Sequence, residues 1–134
     1  MLLWKKCYET GNETVDGQHR EIFRLGQVVL DADVAGGRKE KIESALKFLN
    51  EYALSHFAIE EALMIESGYP GLDEHKSQHL GFVDAVSDVM RRFESEGSTV
   101  HVSDTINGFV TDWLHEHIMG SDKAMAAFYR QWKK

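Results

Sequence analysis

The chain has 134 residues, 43% hydrophobic and 28% charged, the size and balance of one ordinary globular domain; this excludes both a disordered tail and a membrane-type composition. A formal charge of -7 works against non-specific attraction to nucleic acid phosphates or anionic lipid, so neither nucleic acid nor membrane is an expected partner. No apolar run approaches the roughly 20 residues that span a bilayer, the opening MLLWKKCYET lacks a long apolar stretch with a cleavage site, and the lone Cys7 permits no intramolecular disulfide, so a single cytoplasmic domain over residues 1–134 is expected.

The first 15 or so residues read as an irregular arm, with Cys7 a partly buried bystander and not a reactive thiol. A first helix is predicted near 18–35, ending toward Gly36 and Gly37, with an inward stripe of His19, Phe23, Gly26 and Leu30. A second is predicted near 38–66, ending at the turn Ser67, Gly68, Tyr69, Pro70. Its core-type positions step alternately by four and three through Ile42, Leu46, Leu49, Ala53, His56, Glu60 and Leu63. The third, about 72–95, repeats the pattern at Leu72, His75, His79, Phe82, Val86, Val89 and Phe93. The fourth starts near Ser103 or Asp104, either of which could cap its free amides, and runs to about Gly120 with a short helical tail beyond. Its stripe is Ile106, Val110, Trp113 and His117. Pro70 is the single proline and strand-type alternation is scarce, so the chain reads as all-α. Four helices on short turns, each with one inward stripe, predict an up-down-up-down antiparallel four-helix bundle with an irregular N-terminal arm and a short C-terminal helical tail.

Ionisable residues occupy several of these core positions. A buried imidazole or carboxylate without a partner costs several kcal/mol, roughly, or neutralises itself. Residues four apart project from one helix face, so His56 with Glu60, and His75 with His79, can each converge on a common point. His117 lies on the inward stripe of the fourth helix, but Asp122, five residues on, would point about 140° away on an ideal helix. That pairing requires the helix to end, bend or carry a π-bulge near Gly120.

Singly, each motif is weak: roughly 0.3 to 0.7 chance matches of each kind are expected in this composition. His19 alone reads as a surface or capping residue, His56 and Glu60 alone as a buried hydrogen-bonded pair, and His75 and His79 beside Lys76 and Gln78 as a solvated helix start. Together these readings fail, because five imidazoles and two carboxylates must then be satisfied in one small core. A metal centre satisfies them. His101, in a polar turn, and His115, on the opposite side of its helix from His117, are expected outside it and exposed. Phe57, Trp113, Leu114 and Ile118 flank the candidate ligands and can line a ligand pocket or simply pack the core.

If two octahedral metals share Glu60, Asp122 and one solvent-derived oxygen, with five terminal histidines, eleven of twelve coordination positions are filled and one is left for an exogenous ligand. Mixed nitrogen and oxygen donors with carboxylate bridges favour an iron pair, with manganese and zinc left open.

The sequence resembles the hemerythrin family, and specifically the bacterial single-domain hemerythrins, over nearly its whole length. The resemblance rests on V-D-G-Q-H at Val15 to His19, H-F-A-I-E-E at His56 to Glu61, Y-P-G-L-D-E-H-K-S-Q-H at Tyr69 to His79, and W-L-H-E-H-I-M-G-S-D at Trp113 to Asp122. It implies two non-haem Fe ions bridged by Glu60, Asp122 and an oxo or hydroxo group, with His75, His79 and His117 on one iron and His19 and His56 on the other, which keeps the open position. It also implies that Phe57, Trp113, Leu114 and Ile118 line an O2 pocket. In that scheme the bridging hydroxide supplies the proton taken by bound O2, so no net charge need cross an apolar wall.

The expected function is reversible binding of O2, or a similar small diatomic ligand, for storage, delivery or sensing, without catalysis. The alternatives are a di-iron oxidoreductase acting on O2, peroxide or nitric oxide, and an iron-handling or signalling module; the residues identify no protein partner. The paired E-x-x-H motifs of carboxylate-rich oxygenases and the H-E-x-x-H motif of zinc proteases are both absent.

Overall fold

A computed structural model describes residues 3–34, 39–96 and 102–134. Among these residues a short 3-10 turn at Lys6–Tyr8 precedes five α-helices: α1, Glu13–Val34; α2, Lys39–Ser67; α3, Leu72–Glu96; α4, Val102–Glu116; and α5, Lys123–Lys133. A π-helical segment, His117–Asp122, joins α4 to α5 without a break. No strand occurs among the described residues, and none of their helices is long and apolar enough to cross a membrane.

The all-α four-helix bundle expected from the sequence is the observed fold. Helices α1 and α2, α2 and α3, α3 and α4, and α4 and α1 pack against one another, closing the ring. The predicted ends at Gly36 and Gly37 lie outside the described residues, as do His101 and the side chains of Ser103 and Asp104.

The first helix starts five residues earlier than expected. Asn12 is its cap: its Oδ1 accepts the Val15 amide at 3.1 Å, satisfying one of the donors that a helix start leaves free. Asp16, inside the first turn, accepts from the Thr10 amide at 2.9 Å, the Thr10 hydroxyl at 2.7 Å and the Gly11 amide at 3.3 Å. The arm is thereby tied down, and Arg130 of α5 donates to the Thr10 carbonyl. Gly11 has φ +90 and its missing Cβ leaves room for the Arg130 guanidinium, so a side chain there would be both strained and obstructed. Cys7 is exposed, contrary to expectation, because the 3-10 turn sends its neighbour Tyr8 inward to stack on Phe23, centroids 5.4 Å apart. Asp16→Ala would leave those buried donors unpaired and is expected to cost about 1–3 kcal/mol, read as a lowered melting temperature with helical content unchanged.

Helix α2 ends as predicted. Tyr69 N–H reaches the Met64 carbonyl at 2.9 Å and Gly68 N–H the Ile65 carbonyl at 3.3 Å, a paired termination that needs a left-handed residue, and Gly68 supplies it at φ +68. One stripe position shifts: Met64 is fully buried and Leu63 only partly so. An ideal helix drifts about 20° per heptad against a 3.5-residue repeat, so the inward face continues from Glu60 by four residues and not three.

The bundle has an apolar end and a polar end. Leu30, Ile42, Leu46, Val89, Phe93 and Ile106 are buried at the first. At the other converge the start of α1, the end of α2, the start of α3 and the segment after α4, as antiparallel connectivity requires, with Val15, Met64 and Met125 as a small apolar cluster of their own.

Candidate metal centre

The polar end holds His19, His56, Glu60, His75, His79, His117 and Asp122, none more than 4% exposed. His56 and Glu60 share the inward face of α2, and His75 and His79 that of α3, as four-residue spacing dictates. His117 and Asp122 open and close the π-helical segment. Its i→i+5 pattern, visible in the Lys123 N–H bond to the Ile118 carbonyl, stacks residues five apart on one face. Of the alternatives left open by the spacing, a helix end, a bend or a π-bulge near Gly120, the structure shows the π-helical one, over His117–Asp122.

The seven side chains divide into two groups that share both carboxylates: Glu60, His75, His79, His117 and Asp122 in one, and His19, His56, Glu60 and Asp122 in the other. Each carboxylate gives one oxygen to each group. Glu60 Oε1 lies 3.3 Å from His75 Nε2 and 3.0 Å from His79 Nε2, while Oε2 lies 3.4 Å from His19 Nε2 and 3.1 Å from His56 Nε2. Asp122 Oδ1 is 3.0 Å from the Nε2 atoms of both His75 and His117, and Oδ2 is 2.8 Å from His19 Nε2.

These separations match neighbouring donors on an octahedron with bonds of about 2.1 Å, whose edges are about 3.0 Å. His19 Nε2, Glu60 Oε2 and both Asp122 oxygens are buried yet have no hydrogen-bond partner. His19 Nε2 and Asp122 Oδ2 lie 2.8 Å apart as an ion pair but without hydrogen-bond geometry, an arrangement that fits two donors facing a shared cation. Lone pairs converging in this way fit a pair of metal ions and leave a metal-free core poorly satisfied.

The metal-free electrostatics agree. Burial works against charge on His19 and His75, but the adjoining Asp122 and Glu60 carboxylates outweigh it and push both imidazoles up to about 9. His117 is raised for the same reasons. Burial likewise opposes ionisation of Glu60 and Asp122, yet the surrounding imidazoles hold both below the ordinary carboxylate range. The carboxylates thus favour a positive charge at this point, whether carried by protonated imidazole or by a metal ion.

A second layer of residues, not foreseen from spacing, orients the rings. Gln18 Oε1 meets His56 Nδ1 at 2.6 Å, Gln78 Oε1 meets His117 Nδ1 at 2.6 Å, and Glu61 Oε2 meets His79 Nδ1 at 2.9 Å; Ser121 Oγ donates to Gln78 at 2.8 Å. Each bracing residue is adjacent in sequence to one ligand but serves a ligand on a neighbouring helix. The available signal was a hydrogen-bonding residue beside each ligand, Gln18 before His19, Glu61 after Glu60 and Gln78 before His79.

Of the pocket candidates, Phe57 stacks on His79 at 4.0 Å and Trp113 on His117 at 4.3 Å, both against the three-imidazole group. Phe57 also lies 5.7 Å from the His56 ring. Leu114 and Ile118, 2% and 0% exposed, join the main apolar core with Ile22 and Phe23. His115 is exposed, as expected, though its Nδ1 lies 3.1 Å from the Tyr8 hydroxyl.

An antiparallel helical bundle with a buried, carboxylate-sharing imidazole core defines a protein built to hold metal ions between its helices. The family model described as Hemerythrin HHE cation binding domain matches residues 10–129. The chain belongs to the hemerythrin family. It is 34% identical to the bacteriohemerythrin of Pseudomonas paraeruginosa over 121 residues, 90% of this chain and 76% of that one. It is 34% identical to the bacteriohemerythrin of Methylococcus capsulatus over 124 residues, 92% of each chain. The crystal structure of wild-type hemerythrin superposes with a TM-score of 0.86 at 30% identity, covering 96% of this chain and 98% of that one.

Proposed function

We propose that this protein binds O2 reversibly at a non-haem di-iron centre and acts as a binding protein and not as an enzyme. His75, His79 and His117 would hold one iron and His19 and His56 the other, with Glu60 and Asp122 offering one oxygen to each, and an oxo or hydroxo group would be the further bridge of this reading. The observation that carries this reading is the division of each carboxylate between the two imidazole groups. The family relationship supports iron as the metal.

Bound there, an iron pair would supply the two electrons that reversible O2 uptake needs. The protein's own residues bind, orient and exclude water. Gln18, Gln78 and Glu61 accept the Nδ1 hydrogens of His56, His117 and His79, which keeps each Nε2 lone pair directed at the metals. Phe57 and Trp113 lie flat on His79 and His117 and fix their planes, while Leu114 and Ile118 keep the interior dry. These four residues line the O2 pocket in this reading. Residues 1–134 act as one domain, because α1 to α4 contribute to a single main core and α5 is held by Tyr129 against Glu66 and by Arg130 against the arm.

Anaerobic reduction followed by titration with O2 tests the proposal. About two irons per chain and an absorption band that appears with O2 and vanishes on its removal are expected. Irreversible bleaching refutes reversible binding, and sustained O2 or peroxide consumption with a reductant identifies an oxidoreductase instead.

A further inference from the structure

The imidazoles of the centre are braced unequally. His56 and His117 each meet a neutral amide oxygen, whereas His79 meets the Glu61 carboxylate. His19 Nδ1 is buried with no partner at all, one turn along α1 from Val15 of the small apolar cluster. A carboxylate accepting the Nδ1 hydrogen of a ligating imidazole holds the ring more firmly than an amide and raises electron density at Nε2. The group with three imidazoles therefore has one anionic brace, one neutral brace and His75, whose Nδ1 makes no bond of this kind among the described residues, whereas the group with two has one neutral brace and one unbraced ring, so the anion is what sets the two groups apart.

Resting on the two-metal reading above, we propose that Glu61 is a positioning residue that makes the His75, His79, His117 position the tighter of the two. Metal then enters the centre in two steps, and the His19, His56 position fills last and exchanges first. Glu61 is suited to control this from the periphery. Its side chain is 25% exposed and lines a cavity of about 260 Å³ between α2 and α3, beside Leu54, Ala58, Leu80 and Val83. A substitution there alters the brace on His79 without opening a hole in the buried core.

Zinc(II) titration of the metal-free protein against a competing chelator tests the proposal, using the wild type, Glu61→Gln, Glu61→Asp and Gln18→Glu. The wild type is expected to take up two equivalents in two resolved steps. Glu61→Gln weakens the first step by about tenfold to a hundredfold and leaves the second nearly unchanged; Glu61→Asp restores part of the loss. Gln18→Glu, which places a carboxylate on His56, tightens the second step and narrows the gap. In the zinc-loaded protein the His79 Nδ1–H proton resonance, far downfield when held by a carboxylate, moves upfield in Glu61→Gln, a change that a merely structural role would not produce. Two equal steps in the wild type, or a Glu61→Gln loss spread over both steps or confined to the second, overturns the proposal while leaving the two-metal reading intact. Fewer than two equivalents in the wild type overturns that reading and this proposal with it.

Discussion

Replacing Glu60 by glutamine is expected to empty both metal positions at once, taking bound iron from about two per chain to well under one. Glu60 is fully buried, and its two oxygens face different imidazole groups, Oε1 toward His75 and His79 and Oε2 toward His19 and His56. Glutamine keeps the shape but removes one buried negative charge and turns one oxygen into an amide nitrogen with no lone pair to offer. Whichever way the amide faces, one group loses its oxygen, and both lose the anion that offsets their cations. Asp122→Asn is expected to act alike, since Oδ1 and Oδ2 are divided in the same way. His56→Ala removes a donor from one group only and is expected to retain about one iron per chain. Metal analysis after anaerobic loading, with helical content followed by circular dichroism, reads all three variants. Two irons retained in Glu60→Gln, or a loss in His56→Ala as complete as in Glu60→Gln, contradicts the bridging arrangement.

Removing both metals is expected to lower the melting temperature by about 25–30 °C. Free metal at 1,000 times the dissociation constant stabilises the folded state by about 4 kcal/mol per site, and each kcal/mol moves the midpoint of a domain this size by about 3–4 °C. The gap is expected to widen with pH. In the metal-free protein His19 and His75 are raised from 6.5 to about 9, so the stability their protons contribute is fully present below about pH 6.5 and is lost as pH rises through about 9. Glu60 and Asp122 act in the opposite sense: depressed from ordinary values of 4.5 and 3.8, they contribute stability above those values that is lost as pH falls. Metal-free protein is therefore most stable on the acidic side of neutrality. Metal-loaded protein, with no proton on the ligating Nε2 atoms, lacks the decline between pH 6.5 and 9. Thermal melts of both forms across that interval check the sign, and calorimetry in buffers of different ionisation enthalpy registers the protons that metal uptake displaces from His19 and His75. A metal-free melting temperature that rises over this interval would contradict the assignment.

The candidate ligands were legible because the spacing that places each of them is local, and their joint occurrence on successive inward stripes singled them out. Helix geometry places residues four apart on one face whatever surrounds them, so His56 with Glu60 and His75 with His79 stood out as polar groups on apolar stripes. Spacing also exposed the anomaly between His117 and Asp122, which an ordinary helix cannot reconcile and a π-helical segment does. The turn at Gly68 was readable for the same reason, since a left-handed helix end is a property of a few consecutive residues. Asn12 as the cap of α1 was readable in principle, since an amide side chain before a helix is a common cap, but the predicted boundary near 18 falls five residues too late.

Relations between helices were not legible. Nothing in the string of residues says that Gln18 braces His56 and not its neighbour His19, or that Glu61 reaches His79, because such pairs depend on how far each helix is rotated and shifted against the next. The same applies to Met64 replacing Leu63 on the inward face and to Cys7 turning outward as Tyr8 packs on Phe23. Within one helix, hydrogen bonding sets each side chain's direction to within a fraction of a turn. Between helices, rotation and offset are set by the packing of the whole core, so the chain's letters carried the candidate donors and the idea that Glu60 and Asp122 are shared, while which oxygen faces which imidazoles emerged only from the assembled bundle.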